Sequence, residues 1–513
     1  MAYPRTYNAA TEMVDAHVPA GRGDNVAFID PTRRITYGAL SAETNRMANL
    51  LLSFGLQREA RIALLVPDTI DFPICFWGAI KAGIVPIPLN TLLTPEQYGY
   101  VLADARVKAL IVSPALLAVV QPVLKDLTSL THLIVAGGEA PPYGFTLATE
   151  LPQQSAVFDV ADTCADETAF WLYSSGSTGT PKGARHIHTS MMDSARLYGQ
   201  GVLGIREDDV IFSAAKLFFA YGLGNGMSFP MSVGATTVLL PERPTPASVF
   251  QTLKQHQPTI FCGVPTLYAA ILANGDCTPA SGSSALRACI SAGEALPAEI
   301  GRSWKQRFGI DILDGVGSTE MLHIYVSNRA DDVRYGTSGR AVRGYEVRLA
   351  DEKGSEPPPG EIGEMIVRGP TTADGYWNQR EKSRRTFEGE WMRTGDKYTC
   401  SADGYYTYAG RTDDMFKVSG IWVSPFEVES ALISHTDVLE AAIVPAEDHD
   451  GLTKPKAFVV LKTGATATEA LEAILKEHVK AAAGPWKYPR WIVFTDALPK
   501  TATGKIQRYK LRG

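Results

Sequence analysis

Eight short runs rich in Val and Ile recur before residue 295: "RIALLVP", "GIVPIPLN", "VKALIVS", "THLIVAGG", "DVIFSAA", "ATTVLLP", "TIFCGVP" and "RACISAGE". Helix-length stretches separate them, and this alternation builds parallel sheets joined by crossover helices. Strands apolar at every position need cover on both faces, so the predicted class is α/β, with more than one helix-covered sheet in the first four hundred residues. A chain of 513 residues also exceeds one ordinary core. From "DEKGSEPPPGEIGEMIVRG" the texture turns to Gly and Pro turns with alternating residues, which predicts a small antiparallel module around Asp351 to Asp403, lying against the sheets. After "AGRTDD" a separate small α+β unit is expected. It has a helix in "SPFEVESALISH", strands in "LEAAIVPAED" and "KPKAFVVLK", and a second helix whose face carries Leu471, Ile474, Leu475 and Val479. The expected division is 1–412 for the large domain and 413–513 for a mobile C-terminal domain.

A net charge of -6 gives no basic field for nucleic acid or an anionic membrane. The first thirty residues do not read as a signal peptide, and no run of eighteen apolar residues predicts a membrane span. Cys75, Cys164, Cys262, Cys277, Cys289 and Cys400 stand far apart with no CxxC pair, which argues against a disulfide framework or a zinc site and for a reducing cytoplasm. His186 and His188 in "HIH" lack a neighbouring carboxylate or cysteine and make a poor metal site.

The segment "FWLYSSGSTGTPKGARH" begins as a buried strand and ends at one lysine. Its glycines at 176, 179 and 183, interleaved with Ser174, Ser175, Ser177, Thr178 and Thr180, let amides and hydroxyls converge on an anion. A phosphate suits such a loop; a flexible surface link has the same composition. A Walker A loop is excluded, because Lys182 lies between Pro181 and Gly183 rather than before Ser or Thr.

Five further segments follow in order: "SAGEALP", "DGVGSTE", "RTGD", "GRTDDMFKVSG" and "PKTATGK". Together with the loop they resemble the adenylate-forming superfamily of acyl-CoA synthetases, peptide-synthetase adenylation domains and luciferases, over nearly the whole chain. The resemblance implies ATP, Mg2+ and CoA as cofactor and co-substrates. It assigns the polyphosphate to Ser174, Ser175, Gly176, Ser177, Thr178 and Gly179, with Lys182 closing over it. Thr319 would bond the α-phosphate and Glu320 would hold Mg2+. Gly293, Glu294, Ala295, Asp314 and Gly315 would line the adenine, and Asp396 and Arg411 the ribose. Lys505 would carry adenylation. A hinge at Asp413 would then turn the C-terminal domain so that Ser419 and Gly420 border the channel for the CoA thiol.

"SAAKLFFAYGLGN" and "GSTEMLHIYVSN" look like the benzoate CoA ligase branch of that superfamily. This implies a small aromatic carboxylic acid as substrate, enclosed by Ala220, Tyr221, Gly222, His323 and Ile324. Where many relatives carry a gating histidine this chain has Phe219, so that role is not carried over. An aromatic run such as "LFFAY" is also ordinary core, and His323 reads equally as a packed histidine. Two rival readings are a free-standing adenylation enzyme that loads a carrier protein and a noncatalytic nucleotide-binding protein of the same fold. The segment around Lys505 also resembles sites silenced by a lysine acetyltransferase in bacterial acyl-CoA synthetases.

Overall fold

The computed structural model describes residues 3–175, 181–412, 414–418, 421–449, 452–484, 487–500 and 506–512. All eight apolar runs form strands. Four of them build a parallel sheet in the order Val85–Pro88, Arg61–Leu65, Ala109–Val112, His132–Val135, completed by Phe145–Thr146. The other four lie in a second, larger sheet. Its parallel centre runs Ile312–Gly317, Ala288–Ser291, Ile260–Gly263, Val210–Ser213, Thr236–Val238, Val26–Ile29, and antiparallel strands close both edges. Ala109–Val112 and Ile260–Gly263 are buried at every position, as strands covered on both faces must be.

The antiparallel module is wider than expected from the turns. It comprises Glu346–Ala350, Ile362–Arg368, Phe387–Glu388, Trp391–Cys400 and Tyr406–Arg411. Along Ile362–Arg368 buried and half-buried residues alternate, and Met365 and Val367 join the core shared with Ile290 and Tyr325. The module therefore does lie against the sheets.

The C-terminal unit has a core of its own, in which Val428, Leu432, Ile443, Val459 and Leu475 meet. Helix Pro425–Ile433 is capped by Ser424, whose side chain accepts from the Glu427 amide, and Glu469–Ala483 by Thr468, which accepts from the Leu471 amide. On the second helix Leu471, Leu475 and Val479 are buried, but Ile474 is 53% exposed, contrary to the sequence reading. The i, i+4, i+8 ridge alone faces the sheet, and Ile474 falls to its side. At the junction with the rest of the chain, Phe426 meets Tyr408 edge-on at 5.3 Å. Asp414 receives Arg512 at 2.7 Å, and Arg508 reaches Glu429 at 2.7 Å, so the chain's tail is tied to the beginning of this unit.

Candidate active site

The site lies at the carboxyl ends of Ala288–Ser291 and Ile312–Gly317, where open parallel sheets present ligand crevices. Lys182 comes to it on a strand. Thr168–Ser175 pairs antiparallel with Pro181–Ile187, placing Ser174 opposite Lys182 and Tyr173 opposite Gly183. The expected phosphate contacts Gly176, Ser177, Thr178 and Gly179 lie outside the described residues, as does the side chain of Ser175.

Lys182 sits 2.8 Å from a Glu320 carboxylate oxygen and donates to the Tyr376 hydroxyl, which in turn donates to the same carboxylate at 2.7 Å. The Lys182 ammonium also lies over the Tyr376 ring, 4.2 Å from its centre. Burial alone would raise the Glu320 carboxyl; the Lys182 charge and hydrogen bond and the Tyr376 hydroxyl outweigh it and hold the group below its usual range. Burial and the Glu320 charge push the Tyr376 phenol up, so it remains a donor.

The corner that carries Glu320 is strongly constrained. Ser318 accepts from the Met321 amide at 3.2 Å and caps the single turn Thr319–Met321. Leu322 then adopts φ 64°, ψ -38°, and the His323 amide donates to the Met321 carbonyl at 2.8 Å. This is a γ-turn, a strained conformation for a residue with a side chain. Three contacts hold it. The Thr371 hydroxyl donates to the Met321 carbonyl at 2.7 Å, the Ala373 amide to the Glu320 carbonyl at 2.7 Å, and His186 Nε2 to the Thr319 carbonyl at 2.8 Å. Burial lowers the His186 imidazole to about 4, so a neutral ring donates. That is the work of one histidine of "HIH"; among the described residues no group of three or more His, Cys, Asp or Glu is gathered to hold a metal.

Asp396 lies on Trp391–Cys400 directly across from Arg411 on Tyr406–Arg411, so "RTGD" is a strand rather than a turn. Arg411 donates to the Asp396 carboxylate at 3.0 Å. Gly395, at φ 72°, is required here: a Cβ would stand 3.1 Å from the Arg411 guanidinium on a backbone that disfavours side chains. Asp314 and Gly315 sit side by side on Ile312–Gly317. Burial lifts the Asp314 carboxyl well above the usual range against the pull of the Leu296 amide and Ser291. A Cβ on Gly315 would come 2.9 Å from Ile324 and from the Val326 carbonyl. Gly293 takes φ 94° with open space where a side chain would stand, and Glu294 and Ala295 follow it half-buried.

Aromatic side chains gather around His323, one of the residues expected to enclose the acid. Its ring centre lies 4.5 Å from Phe229, 5.1 Å from Tyr198 and 5.6 Å from Tyr221. Nε2 faces the Tyr221 carbonyl at 3.3 Å, and Nδ1 has no partner among the described residues. Burial drives the imidazole down to about 3, so it is neutral. Tyr221 anchors its hydroxyl against the Gly263 and Ile290 carbonyls, at 3.1 Å each. Ala220 and Ile324 are buried. Gly222 and Gly224 permit the packing. A Cβ at 222 would lie 2.0 Å from the Lys216 carbonyl oxygen, and one at 224 would lie 2.4 Å from the His323 ring. Phe219 packs on Phe218 at 4.3 Å just before helix Ala220–Leu223.

The structure thus brings Lys182, Thr319 and Glu320 together with the pocket residues, and pairs Asp396 with Arg411. Lys505, Asp413, Ser419 and Gly420 lie outside the described residues. Sequence reasoning missed Tyr376, Thr371, Tyr198 and Phe229. Tyr376 is 56 positions from the carboxylate it serves, and no local spacing announces it.

The AMP-binding enzyme family matches residues 15–377, and the AMP-binding enzyme C-terminal domain matches residues 427–505. The chain belongs to the AMP-binding enzymes, the adenylate-forming superfamily. Among individual relatives, it is 57% identical over 511 residues to the benzoate--CoA ligase of Thauera aromatica, covering 99% of this chain and 96% of that one. It is 56% identical over 509 residues to the 4-hydroxybenzoate--CoA/benzoate--CoA ligase of Rhodopseudomonas palustris, covering 99% and 94%. Its fold matches a crystal structure of a benzoate CoA ligase from Burkholderia xenovorans LB400 with TM-score 0.92 at 49% identity, covering 99% of this chain and all of that one.

Proposed function

We propose that this chain is an AMP-forming aryl-acid CoA ligase acting on benzoate or a hydroxybenzoate. A carboxylate acylates poorly because oxide is a bad leaving group. In the first half-reaction the acid's oxygen bonds to the α-phosphorus of ATP and the bond to the bridging oxygen breaks, releasing pyrophosphate and leaving an aroyl-AMP. In the second the CoA thiol, losing its proton, attacks the acyl carbon and AMP departs.

The resemblance to the adenylate-forming enzymes suggests the residue roles. Lys182 and residues 174–179 receive the terminal phosphates, Thr319 the α-phosphate, Asp396 and Arg411 the ribose, and Gly293, Glu294, Ala295, Asp314 and Gly315 the adenine. Ala220, Tyr221, Gly222, His323 and Ile324 enclose the aromatic ring. Glu320 fits Mg2+, a hard cation commonly held by one or two carboxylates plus phosphate oxygens, which when bound stabilises charge gathering on those phosphates. The Lys182–Glu320 pair would open as ligand charges replace each partner. Lys505 carries adenylation by bridging the two anions as they meet, and the 1–412 and 413–513 domains turn about Asp413 between half-reactions, bringing Ser419 and Gly420 to the thiol channel. A lysine acetyltransferase acting on Lys505 would remove the charge the first half-reaction uses; mass spectrometry of the protein from cells tests this. The supply of ATP and CoA points to the cytoplasm, and no described helix is long and apolar enough to cross a membrane.

One observation carries the reading: within residues 320–323 the chain passes from a cation-paired carboxylate to a buried neutral histidine ringed by aromatics, in a chain more than half identical to relatives named as benzoate CoA ligases. The test is AMP release with MgATP and CoA across benzoate, hydroxybenzoates, furoate and fatty acids. Aromatic acids should turn over best; preference for medium-chain fatty acids would overturn the pocket assignment. Consumption of aroyl-AMP by CoA alone separates this reading from a carrier-loading enzyme. Failure to exchange pyrophosphate into ATP with every acid would mark a noncatalytic protein.

A further inference from the structure

Gly183, the residue after Lys182, is held from both sides. Across the hairpin the Tyr173 ring closes on its bare backbone, where a Cβ would stand 3.0 Å from the ring. On the other side residues 374–377 run along the same strand. The Trp377 amide donates to the Gly183 carbonyl at 2.9 Å, the Arg185 amide to the Gly375 carbonyl at 3.0 Å, and the Asp374 amide to the Arg185 carbonyl at 2.9 Å. The strand that carries Lys182 is therefore flanked twice, and the second flank also carries Tyr376, which bonds both Lys182 and Glu320.

Both flanks are fastened to one residue outside the cluster. Asp104, half-buried at the close of helix Pro95–Asp104, accepts the Tyr173 hydroxyl on its carboxylate at 2.6 Å and the Trp377 indole N–H on its carbonyl at 2.9 Å. Burial and the Asp104 bond push the Tyr173 phenol up, so it stays a donor. Trp171, Tyr173 and Trp377 pack into the core that Tyr98, Val101 and Leu102 of this helix share, with the two indoles 4.8 Å apart. The hairpin has its own ladder, and its Phe170 and Leu172 lie in the main core. The two bonds to Asp104 thus fix where the hairpin stands rather than form it.

We propose that Asp104 is a positioning residue for Lys182: through Tyr173 and Trp377 it sets where the Lys182 strand stands relative to Glu320, and so where the ammonium meets the terminal phosphates of ATP. The proposal rests on the reading of Lys182 as a phosphate-binding cation. AMP lacks those phosphates and the acid is expected beside His323, so both should be indifferent to Asp104.

The test is calorimetric titration of the full chain with MgATP, magnesium pyrophosphate and AMP, alongside the KM for ATP and for benzoate. The variants are Asp104→Ala, which keeps the carbonyl that holds Trp377, Asp104→Asn, Tyr173→Phe, Asp104→Ala with Tyr173→Phe, and Lys182→Ala; thermal midpoints check that each is folded. Loss of the charge-assisted bond should weaken MgATP and pyrophosphate binding by about 10-fold in Asp104→Ala. AMP affinity and the KM for benzoate should stay within about 2-fold. Asp104→Asn keeps an oxygen that accepts the phenol and should recover most of the loss. Tyr173→Phe should match Asp104→Ala, and the double variant should be no weaker than either, because both cut one connection. A role in stability alone would lower the midpoint and leave the ratio of MgATP to AMP affinity unchanged. That result, or unchanged MgATP affinity in Asp104→Ala and Tyr173→Phe, would overturn the proposal. If Lys182→Ala itself leaves MgATP binding intact, the phosphate reading of Lys182 fails and the proposal with it. If MgATP binds but no aryl acid turns over, the ligase reading alone fails, and the titrations still decide the role of Asp104.

Discussion

The Lys182–Glu320–Tyr376 cluster and the aromatic shell of His323 meet within residues 320–323 yet are built in opposite ways. At Lys182, Glu320 and Tyr376 every polar group is satisfied by another, at distances ligand charges can displace. Around His323 the polar atoms are few, and Nδ1 is left bare among the described residues inside a shell of Tyr198, Tyr221 and Phe229. On the proposed reading the first region would work by charge held ready and the second by shape, with a histidine kept uncharged by burial. Changes to charge should therefore strike nucleotide chemistry, and changes to volume should strike the choice of acid.

The largest expected effect is Lys505→Ala, which should lower acid-dependent pyrophosphate release by at least ~10²-fold, the scale of one preorganised electrostatic group. Near-normal release would remove that lysine from the charge side. Gly224→Ala should do the reverse. Its methyl would collide with the His323 ring, raising the KM for benzoate by roughly 10-fold at unchanged KM for ATP, given the usual strain of overpacking. A shift in both constants would show that the two regions are not separable. Tyr376→Phe removes a hydroxyl from a charged partner and should cost up to about 10-fold in kcat/KM for ATP while sparing the acid. A selective loss in acid binding would contradict the comparison.

The smallest effect is on stability. Burial lowers His323 to about 3 and His186 and His188 to about 4, against an ordinary 6.5. The unfolded chain takes up these protons first, so their contribution is whole above about pH 6.5 and is lost as pH falls toward the folded values. The thermal midpoint should decline steadily from pH 6.5 to 4.5, with proton uptake on unfolding measurable by calorimetry in buffers of different ionisation enthalpy. A flat midpoint would mean that these rings are hydrated.

What was legible in the sequence follows the range of the forces involved. Strands such as Ile260–Gly263 were readable because complete burial writes itself into consecutive apolar letters. The antiparallel module was recognisable, but its edges at Glu346 and Arg411 were not, since strand ends are set by partners. Ile474 was misplaced because helical spacing gives a face but not how wide a strip the sheet covers. Glu320 and Asp396 were singled out through motif resemblance. Tyr376 and Thr371 were not, because each acts at a distance of fifty residues or more along the chain. His186 was read as a poor metal ligand, but nothing in the sequence showed that it fixes a carbonyl of the very corner that carries Glu320.

That corner, bent at Leu322 and clamped by Thr371, Ala373 and His186, couples evolution of the two sites. A tightly bent backbone transmits rotation rather than absorbing it, so a substitution that swings residue 323 toward a bulkier acid also tilts the carboxylate at 320. Broadening the acid repertoire should proceed more readily through Tyr198, Phe229 or helix Ala220–Leu223, which approach the ring from elsewhere, than through the segment that both sites share.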